Sequence, residues 1–192
     1  DTHEQGRDVT FINTYAYGCR SYGQSRSKGT TFSSGGGSGL DFGVQVRNIT
    51  ATTQAEATIH DVVFSTCEKP YNFKDDSGTG NKCLVRFSGT NYSNCIVNQP
   101  TVLMDAEADI VLTGDLEILC NSGSSSVTNV VNLEPGSAFL LAGTLTVNTV
   151  GISATRPFRI DDADFTGLGT VNLSSDSISN IFSATGATEA ST

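Results

Sequence analysis

Apolar groups fall at alternate positions through most of the eighteen residues VNLEPGSAFLLAGTLTVN (131–148), where Val131, Leu133, Phe139, Leu141, Leu145 and Val147 share one parity. A single strand of that length would span about 60 Å at ~3.3 Å per residue, far beyond the usual five or six residues. The alternation therefore runs on through turns at Pro135-Gly136 and Gly143. The same texture opens 29 residues earlier in VLMDAEADIVLTGDLEIL (102–119). There Met104 aligns with Leu133, Asp105 with Glu134, Ile110 with Phe139, Gly114 with Gly143 and Leu116 with Leu145. A looser copy, FRIDDADFTGLGTVNLSS (158–175), follows at an offset of 26, with Gly169 on Gly143 and Val171 on Leu145. Each copy reads strand, acidic or Pro-Gly turn, strand, Gly turn, strand.

Two architectures produce this pattern. A β-sandwich or jelly roll uses each copy as consecutive hairpin strands with one face on the core. A parallel β-solenoid stacks one copy on the next, and a repeat of 20–30 residues is its signature. The irregular first hundred residues favour the sandwich. There LDFGVQVRNIT (40–50) and EATIHDVVFSTC (56–67) alternate, EKPYNFKDDSGTGNKC (68–83) is a loop, and CLVRFSGTNYSNCIV (83–97) reads as a hairpin. The expectation is an all-β chain built as a β-sandwich or jelly roll with an extended N-terminal strand-bearing arm. A short parallel β-solenoid is the alternative. No ten-residue window combines helical apolar spacing with helix-forming residues.

The arm comes from DVTFINTYAYG (8–18), which sets Val9, Phe11, Tyr15 and Tyr17 on one side, followed by a Gly-rich run ending in SSGGGSG (33–39). Residues 1–38 thus read as arm and linker, 39–183 as one all-β domain, and 184–192 as a polar tail. An apolar-alternating arm on a flexible linker is suited to add a strand to a neighbouring subunit, with Val9, Phe11, Tyr15 and Tyr17 filling pockets.

Composition agrees with strands and turns: of 192 residues, 20 are Gly, 46 are Ser or Thr, and none is Trp. Charge is segregated. Residues 1–96 carry nine Lys/Arg and nine Asp/Glu, while residues 97–192 carry two (Arg156, Arg159) against eleven, the whole net −9. Such a surface repels phosphate backbones, which argues against nucleic acid as a partner. No apolar run reaches the length of a membrane span.

Cys19, Cys67, Cys83, Cys95 and Cys120 form no CxxC pair, and His3 and His60 lie far apart, which disfavours zinc. Dispersed cysteines fit disulfides among Cys67, Cys83, Cys95 and Cys120 in an oxidising compartment, with Cys83–Cys95 and Cys67–Cys120 as one of three connectivities. Cys19 is left as the free or intermolecular thiol. A chain beginning at Asp1 reads as a processed, extracellular protein. Three sequons (Asn48, Asn91, Asn172) permit glycosylation without arguing for it.

Catalytic chemistry is sparse. His60, in TIHDVVF, has no Gly-rich nucleophile turn beside it. Glycosidases need two carboxylates, and the candidates are Asp161, Asp162 and Asp164, or Asp105, Glu107 and Asp109. These acids have almost no basic company in the sequence, and a non-enzyme is expected. DDSGTGN (75–81) is a loose match to a Ca²⁺ loop and a better match to ordinary turn chemistry. No cofactor is otherwise expected.

TYAYGCRS (14–21) followed by GTTFSSGGGSGLDFGVQV (29–46) resembles the opening of TasA-type fibre subunits and related archaeal bundling pili, and VNLEPGSAF is similar to that family's Leu-x-Pro-Gly turn. About forty residues carry the likeness. The Gly-rich insertion, the five cysteines and the 29-residue repeat depart from it. The resemblance implies a jelly-roll subunit joined to the next by a donated strand. VNLEPGSAFLLAGTLTVN also looks like rungs of secreted adhesin solenoids, which would imply binding to a glycan or cell surface. A virion coat or tail component uses the same folds. The expectation is an extracellular filament subunit or surface coat that polymerises with copies of itself by β-strand addition.

Overall fold

The computed structural model describes residues 1–3, 6–97, 101–123, 127–150, 154–174 and 182–185. The chain is all-β and winds as a parallel β-solenoid with three faces; the jelly roll is overturned and the alternative holds. The first rung holds β1 (Thr10–Ile12), β2 (Tyr15–Tyr17) and β3 (Ser21–Ser25). The second and third hold β4 (Thr30–Ser33) with β5 (Gly36–Asn48), and β6 (Glu56–His60) with β7 (Val63–Asp75). In the fourth come β8 (Cys83–Ser88), β9 (Thr90–Val97) and β10 (Thr101–Ala106), and in the fifth β11 (Ala108–Leu112), β12 (Asp115–Gly123) and β13 (Val127–Leu133). The sixth has β14 (Ala138–Leu141), β15 (Thr144–Asn148) and β16 (Ala154–Asp161); the last has β17 (Asp164–Gly167), β18 (Thr170–Ser174) and β19 (Phe182–Thr185). Five full rungs thus lie between a short first and a last.

The first face is a parallel seven-stranded sheet, β1-β4-β6-β8-β11-β14-β17. The other two faces are continuous through β5 and β7, whose 13 residues each bend around a corner. From the fourth rung on, that long strand is divided in two: β9 pairs the first half of β7 and β10 the second.

Corner chemistry explains why the alternation survives some turns and not others. In the first three rungs a single left-handed residue makes the turn from the first to the second face: Asn13 (φ 52°), Ser34 (φ 52°) and Asp61 (φ 52°). That turn inverts parity, so Phe11 faces inward before it and Ala16 after it. The fourth rung gains one residue at the corner, since Ile59 registers with Phe87 at an offset of 28 but Val63 with Tyr92 at 29. Parity is thereafter preserved, as the sequence pattern in 102–148 shows. Here Gly143 lies against the rung before it, where an added Cβ would sit 1.9 Å from the Gly114 carbonyl oxygen.

The 29-residue repeat is the true register on two faces, with Ile110 on Phe139 and Leu116 on Leu145. On the third face Met104 pairs with Val131 and Asp105 with Asn132, at an offset of 27. The difference is the turn onto the first face: one residue, Glu107, follows β10, whereas Glu134–Ser137 follows β13. The 26-residue offset of the last copy holds, with Val171 on Leu145.

Inward columns build the core. Phe32, Ile59, Phe87, Leu112 and Leu141 stack along the first face, and Val44, Tyr71, Met104, Val131 and Phe158 along the third, all buried. Tyr71 meets Phe87 edge-on across the interior with ring centroids 5.1 Å apart, and each such side chain contributes roughly 1.5–3 kcal/mol by burial.

Candidate functional site

The segment read as a free arm is the first rung. β1 pairs with β4 and β2 with β5, and SSGGGSG is no linker: Ser33 ends β4, Ser34 and Gly35 make the corner, and the run from Gly36 opens β5. Phe11 stacks on Phe32 (centroids 5.3 Å, planes 8° apart). Beyond the corner at Asn13, Tyr15 and Tyr17 point outward, at 58% and 70% exposure, so the four arm residues do not share a side.

What the rung leaves open is its far edge. Val9 O accepts from Thr31 N and Asn13 N donates to Ser33 O, while Thr14 O accepts from Gly36 N and Gly18 N donates to Ser38 O. This parity turns the N–H and C=O of Thr10, Ile12, Tyr15 and Tyr17 away from the neighbouring rung. Two of those carbonyls take local donors: Ile12 O from the Thr14 hydroxyl at 3.4 Å and Tyr17 O from the Cys19 thiol at 3.2 Å. Among the described residues no strand pairs with this edge of β1 or β2. Ile12, at 64% exposure, joins Tyr15 and Tyr17 along it.

The third-face end of the same rung is closed differently. Thr2 bridges to Ser25 there, its N–H on Gln24 O at 3.0 Å and its O accepting from Arg26 N at 3.0 Å. Its hydroxyl joins Ser27 (2.9 Å) and Thr30 (3.1 Å), and Ser25 donates to Thr30 (2.8 Å), a buried hydroxyl cluster over the end of the apolar columns. Arg26 pairs with Asp1 above it.

The acidic residues regroup. Asp105, outward on the third face, and Glu107, in the turn that follows it, have the basic company that the sequence did not reveal: Lys74 Nζ is 3.1 Å from Asp105 and 3.6 Å from Glu107, and Lys69 Nζ is 3.5 Å from Asp105. Burial pushes the Asp105 carboxyl up, but the Asn132 amide (3.0 Å) and the two ammonium groups outweigh it, and its pKa ends below the ordinary value. Asp109 parts from these two. It stacks through Ala138 onto Asp164, and with Asp162 they line a cavity of about 540 Å³. Burial raises the Asp109 pKa, opposed by an Ala138 backbone hydrogen bond and by Lys82. Adding the two repeat offsets to 109 gives 138 and 164, so the sequence contained this grouping. Asp161 instead pairs with Arg159 at 2.6 Å. Among the described residues no three His, Cys, Asp or Glu side chains are grouped to hold a metal ion. The Asp75 carboxylate caps its own turn, taking Ser77 N at 3.1 Å and Gly80 N at 2.7 Å.

His60 sits at a corner, Nδ1 3.1 Å from Ser88 Oγ and Nε2 3.0 Å from Asp61. Of the sequons, Asn48 and Asn91 are buried and used. Asn48 accepts from Ala55 N (2.6 Å) and donates to Asn81 O (2.6 Å). Asn91 accepts from Val62 N (3.1 Å) and donates to Ser88 O (2.9 Å). Neither amide can carry a glycan in this fold; Asn172 is exposed. No disulfide joins the five cysteines; Cys19 is exposed and the other four are buried. Cys83 and Cys95 are not hairpin partners, because β8 and β9 lie on different faces.

A second feature lies where the second face meets the third. Arg20, Asp41, Phe42, Glu68 and Lys69 line a cavity of about 330 Å³ on the outer surface of the first three rungs, and an adjoining one of about 320 Å³ shares Asp41 and Glu68. Sequence reasoning missed this cleft, because its residues come together only through the stacking of three rungs.

Among the described residues no helix is long and apolar enough to cross a membrane. Comparison with protein-family models, with curated proteins and with solved structures found no match.

Proposed function

We propose that this chain is a non-enzymatic structural subunit of an extracellular assembly, joined to further copies of itself by β-strand addition onto the open edge of β1 and β2. The observation that carries this reading is that edge itself: outward-directed backbone groups at Thr10, Ile12, Tyr15 and Tyr17, flanked by three exposed apolar side chains. An unpaired edge is a template for another strand, and main-chain hydrogen bonds supply affinity without a shaped pocket. The donated-arm form of the idea gives way to rung-on-rung addition, since the arm is already used within its own chain.

The test exploits which N–H groups are spare. Tyr15→Pro removes a donor that faces the open edge and none that faces β5, a position where edge strands accept proline. The variant is expected to keep the thermal midpoint of the parent within a few degrees and to stay monomeric by sedimentation velocity at concentrations where the parent associates. Association of Tyr15→Pro equal to the parent's would refute strand addition here. A binding module of adhesin type is the second reading, favoured by the mixed-charge cleft around Asp41, Glu68, Arg20 and Lys69. It predicts a parent that is monomeric at all concentrations and retained on immobilised glycans or cell surfaces.

A further inference from the structure

Leu40, Cys67, Cys95 and Cys120 form one inward column on the second face. Leu40 registers with Cys67, Cys67 with Cys95, and Cys95 with Cys120. The three cysteines are 2%, 0% and 0% exposed. In-register residues on neighbouring strands are about 4.8 Å apart, inside the ~4.4–6.8 Å Cα separation that disulfides span. Cys67 and Cys120 are two strand spacings apart, about 9.6 Å, and outside it. Cys83 belongs to another part of the interior, its thiol 3.5 Å from the Val46 carbonyl and 3.4 Å from that of Lys74. A cavity of about 320 Å³ reaches Cys67 from the surface between Gly39, Asp41, Thr66 and Ile96.

We propose that this column is a disulfide-forming site in which Cys95 is the obligatory member, bridging to Cys67 or to Cys120 and leaving the third cysteine outside the bridge. The oxidant is a small disulfide of the glutathione class. One column thiol gives up its proton, and its sulfur displaces one thiol from the oxidant to form a mixed disulfide. The neighbouring column sulfur, losing its proton, displaces the second thiol. Two protons and two electrons pass in all to the oxidant, which leaves as two thiols. Three sulfurs in line hold one bridge at a time, and exchange with the remaining thiol carries it between the third-to-fourth and the fourth-to-fifth rung.

Burial pushes the Cys67 thiol up to about 12 and raises Cys95 well above its ordinary value. Thiolate is therefore scarce at neutral pH, and oxidation of the folded chain is slow compared with oxidation during folding. The experiment uses the full chain refolded in oxidised and reduced glutathione, alkylated in denaturant, digested without reduction and mapped by mass spectrometry. The expected result is a Cys67–Cys95 or Cys95–Cys120 cross-link, with three of the five thiols alkylated in each oxidised chain. Cys83→Ala is expected to leave that map unchanged, and Cys95→Ala to abolish cross-linking. Five alkylated thiols in the wild-type chain, or any bridge that includes Cys83 or Cys19 or joins Cys67 to Cys120, would overturn the proposal; the wild-type map decides even where a variant does not fold.

Discussion

Replacing Asn91 by Ala probes how the rungs are held in register. Asn91 occupies an inward position of the second face, in the same column as Leu116 and Leu145, and is fully buried. Its carboxamide spans rungs: Oδ1 takes the Val62 N–H at 3.1 Å from the rung before, and Nδ2 reaches Ser88 O at 2.9 Å and, more weakly, Asp115 O at 3.5 Å in the rung after. Truncation leaves the buried Val62 N–H and the part-buried Ser88 C=O without these partners. At roughly 1–3 kcal/mol for each unsatisfied group, Asn91→Ala should cost about 2–6 kcal/mol. Urea unfolding followed by far-ultraviolet circular dichroism measures it, with Asn172→Ala as an exposed control expected to stay within about 0.5 kcal/mol. If Asn91→Ala also stays within about 0.5 kcal/mol, the inward placement of this column is wrong, and the register of β9 with it.

Two further outcomes follow from the same geometry. Gly143→Ala puts a methyl group 1.9 Å from the Gly114 carbonyl oxygen, where only backbone movement can relieve the clash; a loss of more than about 2 kcal/mol is expected in the same assay. Asp105→Asn tests the third-face ion cluster through pH. A carboxylate whose folded pKa is depressed adds stability that is fully present above its unfolded value of about 3.9 and is lost as pH falls through the folded value. The variant should therefore be less stable than the parent at pH 7 and lose less stability between about pH 4 and pH 2; parallel curves would contradict the pairing with Lys74, Lys69 and Asn132.

Much of the fold was legible in the apolar alternation. The even-numbered inward residues Met104, Ile110, Leu112, Leu116 and Ile118, and the copies at offsets of 29 and 26, are the stacked columns themselves. Alternation does not by itself distinguish hairpin strands from stacked rungs, because both put every second residue inside; the distinction lies in which strands pair, a long-range property. The first three rungs were harder to read. Their corners at Asn13, Ser34 and Asp61 invert parity, so Tyr15 and Tyr17 look collinear with Phe11 although they end on the opposite side of the wall. A Gly-rich run normally reads as linker, yet Gly36 and Gly37 lie in a strand where Val63 O and Ala16 O would each be within 2.2 Å of a Cβ. Two of the three sequons lie inside for a related reason: Asn91, for one, holds the place of a core residue, which only its column reveals. Lys69 and Lys74 reach Asp105 across some thirty residues, so no local count of charges could place them together.

The most direct test of rung-on-rung assembly is amide hydrogen exchange at single-residue resolution as the protein is concentrated. In the monomer the amides of Thr10, Ile12, Tyr15 and Tyr17 should exchange at nearly intrinsic rates while those of Phe11 and Ala16 are protected. Assembly by strand addition predicts that the four fast amides become protected together as larger species appear. If they stay fast while the protein associates, the contact lies elsewhere on the solenoid and the open edge of the first rung is not the joint.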